Sequence, residues 1–406
     1  MGALQRGRAA IVGGSMSGLL AGVMLRRAGW QADIFERSRE ELSGRGAGIV
    51  AQPDLLAALQ AVGLDTAHLG VRVGRRRMLD RSGAVTLERE CAQEMTTWER
   101  VWRLLRDAFP PAHYHRGREF ASVRENAGSV TVRFTDGADM EADLLIGADG
   151  LRSSVRAQLS PQVQPLYAGY VGWRALVPEA ALSPATHRDL FDCMAFCLPP
   201  GEQMLGYPVA GPDNDLRAGH RRYNMIWYRP AEEGTQLRRL LTDAEGHFHA
   251  LSIPPPLIRR EAVAAVHADV RNLLAPQFAG LFGNVAQPIL QPIYDLESGE
   301  LAFGRTVLIG DAAFVARPHV GAGVLKAADD AQALVAALAA HEHVADALAA
   351  YAHERLPVGR RIVAHARHLG AYLQATRSDA EKEASSRHGI PEAVLAETAL
   401  VDFLKD

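Results

Sequence analysis

The 406-residue chain has little cysteine, three residues in all: Cys91, Cys193 and Cys197. So small and odd a number in a long chain excludes a disulfide framework and fits a reducing cytoplasm. Cys193 and Cys197 lie in an alternating run that reads as a strand, where four residues span roughly 13 Å. That is too far for both to ligate one metal. The chain also lacks any uninterrupted apolar run of about 18 residues, so no transmembrane helix is expected. Its N-terminal apolar segment is broken by Gly13, Gly14 and Gly18 and has no cleavage motif, which argues against a signal peptide. Excess charge of one sign is missing too. A net charge of −3 gives no field that would gather nucleic acid or an anionic membrane. The basic cluster "GRRRM" at 74–78 then reads as a solvated face. No internal repeat is found. With 48% hydrophobic and 22% charged residues the chain is a soluble globular protein, and small-molecule chemistry is favoured.

What is present begins with "RAAIVGGSMSGLLAGVMLRRAGWQADIFER". A short apolar run stops at glycine, apolar residues then recur at helical spacing up to Gly29, and a second strand ends in Glu36. Strand, glycine turn, helix and strand make a βαβ unit of the dinucleotide-binding kind. In the usual G-x-G-x-x-G pattern the first glycine makes the turn, the second admits the pyrophosphate and the third packs helix on strand. Here Gly13 and Gly18 are in place and Ser15 stands at the second position, with Gly14 beside it. Serine is small and its hydroxyl can itself bond a phosphate. Glu36, 23 residues after Gly13, can accept hydrogen bonds from both ribose hydroxyls.

Two further strand ends carry aspartate next to glycine. "DLLIGADG", after a hairpin joined at Asp136-Gly137, ends in Asp149-Gly150. "GRTVLIGDAAFVARPHVGAGVLKAADDAQALVAAL" gives a strand, Gly310-Asp311, a loop with Pro318, Gly321 and Gly323, and a long helix. In this ordered set the sequence resembles the flavoprotein aromatic hydroxylases, the single-component FAD monooxygenases, over about residues 8 to 340. "GGSMSGL", "YAGYVGWR" and "RPH...G..KA.DDA" are most similar to the 2,6-dihydroxypyridine 3-hydroxylase branch, which shares Ser15. The sequence departs from the wider pattern in "GDAAF" and at Leu325.

The resemblance implies an α/β fold: a Rossmann-like FAD-binding domain, GR2-type and p-hydroxybenzoate hydroxylase-like, with an antiparallel β-sheet substrate domain and C-terminal helices. The expected FAD-binding domain comprises 1–75, 101–164 and 296–340, the substrate domain 76–100 and 165–295, and the C-terminal helical region 341–406. FAD would be held by Gly13, Gly14, Ser15, Ser17, Gly18, Glu36 and Arg37. Gly46, Gly48 and Pro53 stand in step with the family's segment after the second strand; Gly48, Ile49, Arg103, Asp149, Gly310 and Asp311 would contribute as well, followed by the loop Gly321, Ala322, Gly323 and Val324. The helix starting near Gly323 would aim its positive end at the flavin. NADH or NADPH would dock transiently as co-substrate, for no second nucleotide fingerprint exists.

The implied reaction is hydroxylation of an electron-rich, hydroxylated aromatic ring by O2 through a flavin C4a-hydroperoxide. The ring is expected to be a hydroxypyridine or other N-heteroaromatic. Deprotonation of a ring hydroxyl calls for a base, and His319, beside Pro318 on the flavin loop, is the first candidate. A histidine that merely hydrogen-bonds the loop is the alternative, and Tyr207 and Tyr170 are further candidates. Runs rich in aromatic and β-branched residues between 165 and 295 suggest a sheet roofing the flavin, with Trp173, Tyr207 and Trp227 walling the substrate pocket. A flavin-dependent reductase and a catalytically silent flavin-binding redox sensor remain alternatives. A halogenase does not, because none of the five tryptophans stands in W-x-W-x-I-P. The histidines at 341–343, His365 and His368 read as surface helix residues, the stretch from 331 to 375 as helix broken near Pro357, and "SDAEKEASSRHG" as an exposed connection. The tail helices are expected to pack on the domain or on a second subunit, making a homodimer possible.

Overall fold

A computed structural model describes residues 7–42 and 48–405. The βαβ unit forms as the pattern predicts. The strands Arg8–Val12 and Gln31–Glu36 pair in parallel on either side of the helix Met16–Arg27. They lie inside a six-stranded sheet ordered Ala302–Phe303, Thr306–Leu308, Leu144–Gly147, Arg8–Val12, Gln31–Glu36, Tyr114–Arg116. All of its pairs are parallel except the two-residue edge strand Ala302–Phe303, so the strand ends carrying Gly13, Asp149 and Gly310 open on one rim. In open parallel sheets this rim, beyond the carboxyl ends of the strands, is where ligands bind.

A nine-stranded sheet stands opposite, ordered Phe314–Val315, Ile289–Glu297, Leu166–Pro178, Arg222–Pro230, Gln203–Val209, Cys193–Cys197, Val71–Leu79, Val85–Thr97, Gly48–Val50. It is antiparallel throughout apart from the parallel pair Cys193–Cys197 with Val71–Leu79. The expected boundary at 75/76 therefore falls inside a strand, and the chain enters the second sheet by Val71. Gly48–Val50 and Phe314–Val315 belong to this sheet as well, so segments assigned to the flavin half contribute its two edges. A three-stranded meander, Phe120–Glu125, Val130–Phe134 and Asp139–Ala142, contains the hairpin at Asp136-Gly137.

Three C-terminal expectations are corrected. The helix Val344–Gly370 runs through Pro357 unbroken. A mid-helix proline costs about 3 kcal/mol, and tertiary contacts beside it offset that. Arg355 Nε donates to Asp330 Oδ1 at 2.8 Å, and Phe314 packs flat against Gly359, where a Cβ would collide with the ring. Residues 379–388 are helix, started by a capping box between Ser378 and Glu381. The histidines at 341–343 lie between two helices, and His365 stacks on Phe403 at 4.0 Å.

Candidate active site

The glycine turn is built so that side chains are excluded at three points. Gly13 has φ +110°, and a Cβ there would overlap the Ala148 carbonyl; one on Gly18 would overlap the Gly13 carbonyl. Gly14 is crossed by Tyr114, whose hydroxyl donates to the Gly14 carbonyl at 2.9 Å, and Trp102 Nε1 donates to the same oxygen at 3.2 Å. Glu36 closes the other side: Oε2 accepts the Gly14 N–H at 2.9 Å and Oε1 the Ser38 N–H at 2.8 Å. Each carboxylate oxygen keeps a lone pair for a ribose hydroxyl. Above the turn lies a cleft of about 190 Å³ lined by Gly13, Ser15, Glu36, Arg37, Asp149 and Gly150, among others.

Asp149 is half-buried and caps the helix Ser154–Leu159, Oδ2 accepting the N–H of Ser154 at 2.7 Å and of Val155 at 3.3 Å. Its Oδ1 is buried with no partner, and burial raises the carboxyl pKa. Gly310 has φ +59° and a Cβ there would strike Ser17 Oγ, which assigns Ser17 a packing role at the junction of two loops. The Gly310 N–H donates to Asp330 Oδ2 at 2.9 Å. Asp311 beside it is 54% exposed, and its Oδ1 lies 3.5 Å from Lys326 Nζ. Lys326 is 1% exposed, and Nζ has no hydrogen-bond partner.

The loop between Pro318 and Gly323 turns through Gly321 at φ +63° and leads into the helix Gly323–Ala340, whose N-cap Ala322 offers no side-chain acceptor. Its first N–H groups are left for a ligand. Arg317 anchors the loop from behind through Asp295 at 2.9 Å and Gln374 Oε1 at 2.9 Å. His319 shares a 2.9 Å hydrogen bond with the Tyr170 hydroxyl, and burial, with Arg317 nearby, pushes its pKa down to about 3. A histidine so weakly basic is neutral at working pH and makes a poor acceptor of a substrate proton. The geometry favours the second reading of this residue, a strut of the flavin loop. Tyr170 is equally buried, its pKa driven far above the usual phenol value.

From the far end of the chain, residues 394–401 close over this loop. The Ala399 N–H donates to the His319 carbonyl at 2.6 Å, while Gln52 Nε2 and Gln93 Nε2 both donate to the Ala399 carbonyl at 3.1 Å. Arg76 Nη1 reaches the Leu395 carbonyl at 2.9 Å. Arg76 is 0% exposed, so the basic cluster is not a solvated face. Its middle arginine holds the tail in place.

The nine-stranded sheet has two faces. Tyr170, Leu205, Tyr207, Ile226 and Tyr228 pack together with Val50, Leu395 and Ala399 on the face toward the flavin loop. The Tyr228 ring stands 4.4 Å from that of His319, and Tyr207 lies against Gly48, where a Cβ would meet its ring at 2.5 Å. Trp173 and Trp227 belong to the other face, in a cluster with Phe278 and Phe282. They do not wall the substrate chamber, for they are directly paired and sit at odd positions of strands whose even positions face the flavin loop. Parity moved them, and the same parity turns Arg174 inward.

A model of FAD-binding-domain-like regions matches residues 167–295, and an FAD-binding-domain model matches 297–366. The 2,6-dihydroxypyridine 3-monooxygenase of Paenarthrobacter nicotinovorans is 32% identical over 371 residues, covering 90% of this chain and 91% of the relative. The chain belongs to the FAD-dependent aromatic hydroxylases. The crystal structure of 2,6-dihydroxypyridine-3-hydroxylase from Arthrobacter nicotinovorans superposes with a TM-score of 0.86 at 31% identity, covering 92% of this chain and 94% of that one. The 6-hydroxynicotinate 3-monooxygenase of Pseudomonas fluorescens is 26% identical, over 84% and 85% of the two chains. A Klebsiella pneumoniae protein crystallised with FAD and uric acid, 23% identical with a TM-score of 0.73 over 96% and 97%, shares the fold.

For an FAD-dependent hydroxylase the residues fit the cofactor. The orphaned Asp149 Oδ1, the Gly13 cradle and the uncapped helix at Gly323 are each incomplete without a polar ligand. Arg103 is outside the cleft lining; it is 47% exposed and pairs with Glu99 at 2.8 Å and Asp213 at 3.6 Å. Gly46 lies outside the described residues. Sequence reasoning missed Tyr114, Trp102 and Lys326, though Lys326 sits within a recognised motif, and it expected the tail to pack on the domain or on a second subunit without placing it over the flavin loop.

Proposed function

We propose that the enzyme hydroxylates a hydroxypyridine or a closely related hydroxylated N-heteroaromatic, with NAD(P)H as reductant. The observation that carries this reading is the 32% identity over 90% of the chain to a 2,6-dihydroxypyridine 3-monooxygenase. When bound, FAD supplies hydride acceptance and the activation of O2. The chain's own part is to hold and enclose. Gly13, Ser15, Glu36 and Asp149 would take the adenosine and pyrophosphate, Asp311 the ribitol, and the loop Pro318–Val320 with the helix start at Gly323 the flavin ring. The apolar face formed by Leu205, Ile226 and Tyr228, sealed by Leu395 and Ala399, excludes water from the ring. Tyr207 and Tyr228 offer hydroxyls to the substrate in the chamber. Their protons are held tightly, Tyr228 being pushed up to about 12 by burial, so they act as donors and not as bases.

NADH, a homodimeric assembly and a cytoplasmic location belong to the same reading, the last supported by three free cysteines. Among the described residues no helix is long and apolar enough to cross a membrane. The test is NADH and O2 consumption by the FAD-loaded protein across hydroxypyridines and phenols, with peroxide measured alongside. Stimulation and product from a pyridine diol, with little peroxide, is the expected result. Productive turnover of phenols alone would overturn the heterocycle and keep the enzyme class.

A further inference from the structure

Arg174 is a basic group that the sheet parity turns to the face toward the flavin loop, beside Tyr207 and Tyr228. It stands opposite Ile226 on one neighbouring strand and Ile289 on the other, on the face that carries Tyr170 and Tyr228. It is half-buried, and its Nε is shut away from water without a hydrogen-bond partner. Among the described residues no carboxylate pairs with it. The nearby buried ion pair, Arg317 with Asp295, is complete and looks toward the loop, and Arg222, farther along the same face, spends its guanidinium on the Ala210 and Gly211 carbonyls. Arg174 has the Tyr228 hydroxyl as a hydrogen-bonding neighbour and keeps its Nε unspent among Leu205, Ile226 and the hydroxyl of Tyr207. Burying a guanidinium edge against apolar side chains costs free energy unless a partner arrives.

A guanidinium is a planar fork that matches two adjacent acceptors on one edge, as in a carboxylate. A deprotonated 2-hydroxypyridine presents that pattern: the ring nitrogen and the exocyclic oxygen flank one carbon and share one negative charge. A phenolate offers a single acceptor, and so does a pyridine whose nitrogen is remote from the oxygen. We propose that Arg174 grips the N–C–O⁻ edge of the substrate, selecting 2-hydroxy-N-heteroaromatics in their anionic form. It thereby holds electron density in the ring that is to be oxygenated. This rests on the functional reading above.

The test uses two ligands of the same shape, 5-nitro-2-hydroxypyridine and 4-nitrophenol, in alkaline buffer that ionises both, with 1-methyl-5-nitro-2-pyridone as the ligand that cannot ionise. Binding to the FAD-loaded protein is read from the flavin spectrum in the wild type, Arg174→Lys and Arg174→Gln, each checked for FAD content. The expected wild-type preference for the pyridine anion over the phenolate is about tenfold or more. Arg174→Lys should abolish that preference while still holding both anions, and Arg174→Gln should weaken both anions but not the neutral pyridone. A preference that survives in both variants overturns the assignment, and so does an equal loss for all three ligands. If the wild type binds and hydroxylates hydroxypyridines yet shows no dependence on Arg174, only this inference falls. If it turns over phenols and no hydroxypyridine, the functional reading falls and takes the inference with it.

Discussion

Replacing Lys326 by methionine should leave the apoprotein as stable as before or more so, and should weaken FAD binding. The ammonium is buried; Asp311 Oδ1 lies 3.5 Å from it, and the Asp329 carboxyl is a second charged neighbour. At an effective dielectric of about 20 the pair with Asp311 attracts by roughly 5 kcal/mol. Burying the ammonium costs several kcal/mol, and Asp311, being more than half exposed, feels solvent screening that cuts the attraction further. The two sides nearly cancel. A methionine of similar length fills the same space without the desolvation cost, so the apoprotein should gain between about 0 and 2 kcal/mol.

Cofactor binding reverses the sign. FAD brings a doubly charged pyrophosphate into a cleft already lined by Glu36 and Asp149. In the wild type Lys326 compensates Asp311 beside it, and without the cation FAD affinity should fall roughly tenfold, about 1.4 kcal/mol. Urea unfolding of the FAD-free protein and fluorescence titration of FAD read the two quantities separately. A Lys326→Met apoprotein less stable by more than about 1 kcal/mol would show the pair to be net stabilising. Unchanged FAD affinity would refute the electrostatic role.

Two groups, buried His319 and half-buried Asp329 on the helix Gly323–Ala340, give opposing pH dependences of stability. His319 has its folded pKa lowered to about 3 from an ordinary 6.5, so its contribution is present above 6.5 and lost as pH falls toward 3. Asp329 is raised by burial to about 6 from 3.8, so its contribution is present below 3.8 and lost as pH rises through 6. Denaturation across this range should therefore show His319→Gln losing the acid-side decline, with the stability gap to wild type closing as pH drops; a pH-independent gap would contradict the burial. Trp227→Phe should cost about 1–3 kcal/mol of stability and leave ligand affinity within twofold, since its ring lies 6.3 Å from Phe282 on the far face. A changed substrate preference would return Trp227 to the chamber. Removing the chain from Ile390 onward takes away Val394 and Leu395, worth about 1.5–3 kcal/mol each. It also uncovers the His319 loop, so NADH oxidation should continue with a several-fold larger share of peroxide. Unaltered coupling would mean that the tail does not exclude water.

The cofactor end of the site was legible because its constraints are local. Gly13 needs a positive φ, Gly18 must let helix meet strand, and an acid must end the second strand; each condition sits within thirty residues of chain and leaves a residue-type mark. The strands of the roof were legible by their period of two. That same period explains the error over Trp173 and Trp227: alternation divides a strand into two faces without saying which one looks at the flavin. Once the register is known, Arg174 and Tyr228 turn inward and both tryptophans turn out. Other features depend on distant partners. Arg76 is buried because a carbonyl 319 residues along the chain arrives above it, and Pro357 is tolerated because Asp330 and Phe314 hold the helix around it.

The two ends of the site also differ in what can change. At the cofactor end the determinants are backbone carbonyls and N–H groups, and a Cβ at Gly13, Gly14 or Gly18 collides with main chain or with Tyr114. Substitution there destroys binding and does not retune it. On the roof the determinants are side chains at alternate positions of three strands, where one exchange alters the inward face and leaves the ladder hydrogen bonds untouched. Specificity can therefore reside in a few inward positions such as Arg174, Leu205, Tyr207 and Tyr228. The glycine turns and the Asp149 cap hold the cofactor in register whatever ring is placed beneath it.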